Sequence, residues 1–137
     1  MKIVRTRVSA LIIKDKKILL VKGNEGFYKE FYFTPGGKVE TGEDDLMAMN
    51  RELGEEMSIS PTTIEKYFSY EARIGEGEQY QRVNCYLVKE FSGVIVLGAE
   101  IGEMLWYSKD DYTNNQIGVS ESMYQNLFPK LIKDELI

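Results

Sequence analysis

The sequence predicts an α/β fold in which a mixed β-sheet lies between α-helices. Three observations predict it. Strand-like segments, a helix, more strands and a last helix follow one another, an order that suits helices packed on a sheet. Leu46, Met49, Leu53 and Met57 recur at the spacing of one helical face. Val83, Cys85 and Leu87 recur at the spacing of one face of a strand. The 137 residues have the length of one ordinary domain, so residues 1–137 are expected to form a single unit.

In chain order, Val4 to Ile13 and Ile18 to Val21 are β-branched and apolar, and Lys14-Asp15-Lys16-Lys17 between them reads as the turn of a β-hairpin. Gly23 to Tyr28 reads as a loop, Phe31 to Thr34 as a short strand, and Pro35-Gly36-Gly37 as a break. Residues 44–57 read as a helix, with the Asp44 carboxylate as N-cap. Ile64 to Ile74 and Tyr80 to Val88 are two strands joined across Gly75-Glu76-Gly77-Glu78. Gly93 to Leu97 and Met104 to Tyr107 are further strand candidates. Ser120 to Leu136 reads as a terminal helix with Met123, Leu127, Leu131 and Ile132 inward. There is no repeat, low-complexity segment or linker.

Composition restricts the chemistry. The chain has no histidine, which removes Ser-His-Asp and Cys-His pairs, HExxH zinc sites and imidazole proton shuttles. Its one cysteine, Cys85, cannot form an intrachain disulfide, fits a reducing compartment, and on an apolar strand face is expected to be buried and inert. Acid–base work falls to carboxylates, Lys or Tyr, and a metal site would be oxygen-rich. The apolar run Ala10 to Ile13 is too short to span a bilayer, and the lysines after it spoil a signal peptide. A cytoplasmic protein with no membrane partner is the expectation. The net charge of −5 argues against coating DNA or RNA.

That charge is local. Val39 to Met57 holds seven acids against the single base Arg51 and nets −6, so the rest of the chain is +1. On a helical wheel Glu52, Glu55 and Glu56 share a sector roughly 100° wide, different from that of the apolar stripe, with Ala48 on it and Asp45 at its N-terminal end. Like charges at this spacing cost an isolated helix about 0.2–0.5 kcal/mol per pair. A helix needing only solubility would interleave lysine. The residues leave two readings open, a solvated acidic face or a seat for divalent cations. The preceding Pro35-Gly36-Gly37 favours the second, since glycines let backbone approach a ligand.

Gly37, five residues, Glu43, seven residues, then Arg51-Glu52-Leu53-Gly54-Glu55-Glu56-Met57-Ser58-Ile59 resembles the Nudix box, GX5EX7REUXEEXGU with U apolar. The box runs from Gly37 to Ile59, and the strand order around it resembles that of the MutT-like Nudix hydrolases over most of the chain. One position departs: Ser58 stands where the pattern has glycine, just past the helix end. Serine there either costs about 1 kcal/mol in a left-handed conformation or changes how the helix ends. Met47, where many members have glutamate, forfeits the capping-box partner of Asp44.

The resemblance implies a Nudix α/β/α sandwich that hydrolyses a nucleoside diphosphate linked to another moiety X, with Mg²⁺ or Mn²⁺ as cofactor. Glu52, Glu55 and Glu56 would bind the metal, with the Gly36 carbonyl as a further ligand. Glu52 would act as or position the general base, and Arg51 would orient the site through Glu43. Gly37 and Glu43 are structural in the motif. A further acid often follows the box, and Glu100 is preferred to Glu103 for that part. Lys38 and Lys22 are candidate phosphate contacts, and Arg82 and Arg73 could line the cleft from the sheet. Among Tyr28, Tyr32, Phe33, Tyr80 and Tyr86, the residues Phe33 and Tyr80 are preferred for stacking on a base. Neither the proline of ADP-ribose hydrolases nor the tyrosine of dinucleoside polyphosphate hydrolases is at its usual spacing. By elimination the expected substrate is a nucleoside triphosphate, normal or oxidised. The alternatives are an ADP-ribose or nucleotide-sugar pyrophosphatase and a non-catalytic nucleotide-binding regulator. The expected assembly is a monomer or homodimer.

Overall fold

Strand β1 (Lys2–Leu11) changes character halfway along: its first residues are exposed or half-buried, and Val8 to Leu11 are buried. The computed structural model describes residues 2–137, apart from the side chains of Phe27 and Tyr28, so the Tyr28 candidate lies outside the described residues. β1 is flanked by the short β4 (Gly36–Lys38), antiparallel to it, and by β6 (Gln79–Ser92), parallel to it. β5 (Ser60–Arg73) pairs antiparallel with β6 and completes a sheet of order β4-β1-β6-β5. A second sheet has the order β2-β3-β7, from β2 (Ile13–Lys14), β3 (Lys17–Gly23) and β7 (Ile101–Ser108).

The two faces of this framework are both buried. Val8, Ala10 and Ile12 turn to one side with Leu19 and Val21 of β3, and meet Ala48, Met49, Leu53 and Met57 of helix α1 (Asp45–Met57). Leu11, Ile18, Leu20, Val83 and Cys85 turn to the other side, against Tyr107, Leu127, Phe128 and Leu131. Strands covered on both faces read as continuous apolar runs, which is why residues 10–13 and 18–21 show no polar alternation. The result is the expected α/β/α sandwich.

Several elements differ from the sequence expectation. The predicted hairpin is confined to Ile13↔Ile18 and Lys14↔Lys17, closed by Asp15 (φ 51°) and Lys16 (φ 64°). Such left-handed pairs match strand twist in tight hairpins. The long strand before it leaves at Ile12 for the other sheet. Periodicity cannot show that switch, because both segments are equally apolar. Pro35-Gly36-Gly37 is no break: its glycines begin β4, in register with Ser9 and Val8. Phe31 to Thr34 contributes only isolated bridges, from Phe33 to Val21 and from Tyr32 to Val119.

Residues 93–97 form no strand. The Val96 and Gly98 amides instead donate to the Met57 and Glu56 carbonyls at 3.0 and 2.8 Å, satisfying open acceptors at the end of α1. Leu46, expected in the core stripe, is 52% exposed, and Ala48 is fully buried in its place. A short helix α2 (Lys109–Asn114) was not read from the sequence, although Ser108 and Asp111 form a complete capping box. The terminal helical run ends at Lys133 and contains a π turn (Met123–Leu127) before α3 (Phe128–Lys133). Pro129 lacks the N–H that a regular helix would use there, and the wider turn accommodates its ring. Met123, Leu127 and Leu131 are buried as expected, and Ile132 packs partly buried beside them.

Candidate active site

Helix α1 is fixed at both ends before it presents any carboxylate. Asp44 Oδ1 accepts from the Met47 amide at 2.8 Å, the expected N-cap. One residue on, Asp45 Oδ2 accepts from Asn84 Nδ2 at 2.9 Å and from the Tyr86 hydroxyl at 2.5 Å, tying the first turn to β6. Tyr86 is therefore an anchor for the helix and not a base-stacking residue. At the other end Ser58 adopts φ 61°, ψ 31°, and its N–H reaches back to Gly54. The left-handed stop that the box assigns to glycine is kept, with serine bearing its strain.

The glutamate sector of α1 faces β4. The Gly36 amide donates to Glu56 Oε1 at 2.8 Å. A Cβ on Gly37 would lie 2.5 Å from the Glu52 carboxylate, and a Cβ on Gly36, at φ 140°, would collide with the Val8 carbonyl. The two glycines thus have separate jobs: Gly36 lets β4 lie against β1, and Gly37 leaves the space that Glu52 occupies. Burial pushes the Glu56 carboxyl up to about 7, although the Gly36 amide and the Arg7 charge act to lower it. Burial also raises Glu52, opposed by its hydrogen bond from Arg51. Glu55 stays exposed, 3.7 Å from Arg51.

Arg51 organises the loop and the helix together. Its Nε and Nη2 hold the two Glu43 oxygens at 2.7 and 2.9 Å, Nη1 holds Glu52 Oε1 at 2.8 Å, and Nη2 also reaches the Lys38 carbonyl at 3.1 Å. The length of the Arg51 side chain lets the guanidinium serve Glu43 and Glu52 together. Hydrogen bonds from Arg51, helped by the Glu40 amide, hold the Glu43 carboxyl down at about 2.

The other candidates divide. Glu100 acts electrostatically on Glu56, whereas Glu103 is 3.8 Å from Lys22 and acts on Tyr32. Of the two acids, Glu100 is the one brought toward the glutamates. Lys38 follows Gly37 on β4 with an exposed side chain. Phe33 packs partly buried beneath the Arg7 guanidinium, 5.6 Å from ring centroid to Cζ. Tyr80 hydrogen-bonds Arg73, and Arg82 lies 3.7 Å from Glu71, so both belong to the β5–β6 hairpin and engage partners there. The sequence reading missed Arg7. Its only signal was a basic residue immediately before a buried strand run.

Among the described residues no three acidic side chains already converge as a metal-ligand set. Glu52 is turned to Arg51, Glu56 to the Gly36 amide, and Glu55 to solvent. The donors nevertheless fit a hard divalent ion. They are all oxygen, two are desolvated carboxylates that gain from an added positive charge, and the bare Gly37 lets the Glu52 carboxylate lie against β4.

A mixed sheet held between helices, with a glutamate face turned onto a double-glycine strand, defines a Nudix-type domain. Residues 4–127 match the NUDIX domain model, and the chain belongs to that family. It is 43% identical over 54 residues to an ADP-ribose pyrophosphatase of Methanocaldococcus jannaschii, a match covering 39% of this chain and 32% of that protein. The similarity thus spans about a third of the length of that curated relative. Among solved structures it resembles a MutT NUDIX hydrolase from Burkholderia pseudomallei, with TM-score 0.69, 25% identity, and 77% and 84% of the two chains covered. It shares its fold with a MutT protein from Methanosarcina mazei, with TM-score 0.81, 19% identity, and 97% and 96% covered.

Proposed function

We propose that the protein is a Mg²⁺- or Mn²⁺-dependent pyrophosphohydrolase whose substrate is a nucleoside triphosphate, normal or oxidised. The observation that carries this reading is the pairing of Glu52 and Glu56 with the glycines of β4: two desolvated carboxylates laid against a strand whose missing side chains let them approach. Glu52, Glu55, Glu56 and the Gly36 carbonyl would hold the cation. A divalent ion bound there would supply positive charge to polarise the phosphoryl oxygens and to ease loss of a proton from the attacking water.

The chain's own groups supply the rest. Arg51 fixes one oxygen of Glu52 and leaves the other to accept a proton from the attacking water. Burial raises the proton affinity of Glu52, which suits that role. Glu43 holds Arg51 in turn, a positioning contact that survives down to about pH 2. As water forms its bond to phosphorus, the bridging anhydride bond breaks and the phosphate on its far side leaves. Glu100 is the additional acid, and Lys38, Phe33, Tyr80 and Arg82 are the substrate contacts. Residues 1–137 act as one domain, as monomer or homodimer, with the nucleotide as partner and neither nucleic acid nor membrane. Among the described residues no helix is long and apolar enough to cross a membrane. The single cysteine, Cys85, is unpaired, which suits the reducing cytoplasm.

The match to an ADP-ribose pyrophosphatase supports a second reading, ADP-ribose or a nucleotide sugar as substrate. A panel of dNTPs, oxidised dNTPs, ADP-ribose and nucleotide sugars with Mg²⁺ or Mn²⁺ and product identification separates them. Pyrophosphate or phosphate released from a triphosphate supports the first reading. Preferential formation of AMP and ribose 5-phosphate establishes the second. Binding without turnover of any compound would leave a nucleotide sensor and refute both.

A further inference from the structure

We infer that Arg7 is a binding residue for a phosphate oxyanion of the substrate, set opposite the glutamate face of α1. The inference rests on the active-site reading above and adds to it a residue outside the box. Arg7 is half-buried on β1, in register with Lys38 of β4. Its Nη2 donates to the Thr34 carbonyl at 2.7 Å and its guanidinium lies over the Phe33 ring. Those two contacts orient the planar fork and use one of its five N–H donors. Among the described residues it forms no ion pair.

Most other cations near the site lie in ion pairs, exposed Lys38 of β4 excepted. Arg51 is held by Glu43 and Glu52, Lys22 faces Glu103, and Arg82 faces Glu71. Arg7 differs: its charge is felt at both Glu52 and Glu56, yet it forms no ion pair or hydrogen bond with either, whose partners are Arg51 and the Gly36 amide. It is held short of both carboxylates by Thr34 and Phe33. Divalent ions on the glutamates would place positive charge against positive charge across that gap. An oxyanion placed between them relieves the repulsion, and a guanidinium fork matches two phosphate oxygens.

This arrangement makes metal binding and phosphate binding respond to Arg7 with opposite signs. Calorimetry of the full chain with Mg²⁺ alone, then with inorganic pyrophosphate at saturating Mg²⁺, reads both. For Arg7→Ala the expected result is Mg²⁺ binding a few-fold tighter, since a repelling charge is gone, and pyrophosphate binding about 10- to 100-fold weaker. Arg7→Lys keeps the charge and loses the fork. It should bind Mg²⁺ like wild type and pyrophosphate with intermediate affinity, and it decides the matter if the alanine variant does not fold. Unchanged pyrophosphate affinity in the variants overturns the proposal, as does equal weakening of both ligands, the mark of a structural role. Weakened nucleotide binding with normal pyrophosphate binding also overturns it, because Arg7 would then read the base. If wild type itself binds neither Mg²⁺ nor pyrophosphate, the active-site reading fails and this inference with it. Failure of the variants alone leaves that reading standing.

Discussion

Replacing Glu56 by glutamine should stabilise the metal-free protein, and by an amount that depends on pH. The side chain keeps an oxygen to accept from the Gly36 amide, so the change removes charge and little else. In the folded chain, burial lifts the Glu56 carboxyl from an ordinary 4.5 to about 7. A raised carboxyl favours the folded state while both states are protonated, below pH 4.5, and that favour is lost as pH rises through 7. The gap corresponds to about 3 kcal/mol above pH 7, or about 10 °C in melting temperature for a domain of this size. Melting in EDTA should therefore show the glutamine variant well above wild type at pH 8, with the difference closing by pH 4.5. Added Mg²⁺ should raise wild type more than the variant, since the cation removes the cost of the buried charge. A variant less stable than wild type at pH 8 without metal, or a difference independent of pH, would refute the reasoning.

Three further substitutions test the framework. Gly37→Ala places a methyl 2.5 Å from the Glu52 carboxylate, so turnover should fall at least about tenfold with little loss of melting temperature. Ser58→Gly relieves a left-handed serine and should stabilise by up to about 1 kcal/mol in denaturant melts, with unchanged activity. Tyr86→Phe removes one of the two hydrogen bonds to Asp45 and should destabilise by about 1–2 kcal/mol. No change on Tyr86→Phe would mean that Asn84 alone anchors the helix.

The sequence showed the site more clearly than the framework. Glu52, Glu55 and Glu56 share one face because helical spacing alone puts them there, and Asp44 caps the helix as its carboxylate allows. The function of the glycines was only half legible. Their lack of a side chain suggested room for a ligand, whereas Gly37 makes room for Glu52 and Gly36 for Val8. The Arg51 contact with Glu43 followed from the resemblance, but its contact with Glu52 could not be read from a wheel, which records the Cβ direction and not the reach of a guanidinium. Residues 93–97 looked like a strand since Val94, Ile95 and Val96 are β-branched, but tertiary position set them to capping α1. Arg7 could not be read because its meaning depends on β1 lying between β4 and β6, a pairing across distant segments.

The central claim is that the glutamate face of α1, seated against Gly36 and Gly37, performs metal-dependent hydrolysis. Its most direct test compares wild type with Glu52→Gln for nucleotide turnover at increasing Mg²⁺ or Mn²⁺, alongside the melting temperature of each. Hydrolysis by wild type should rise from zero with added metal. The variant should lose about a thousandfold or more while melting within a few degrees of wild type. Equal turnover by the two proteins, or turnover by wild type in EDTA, would contradict it.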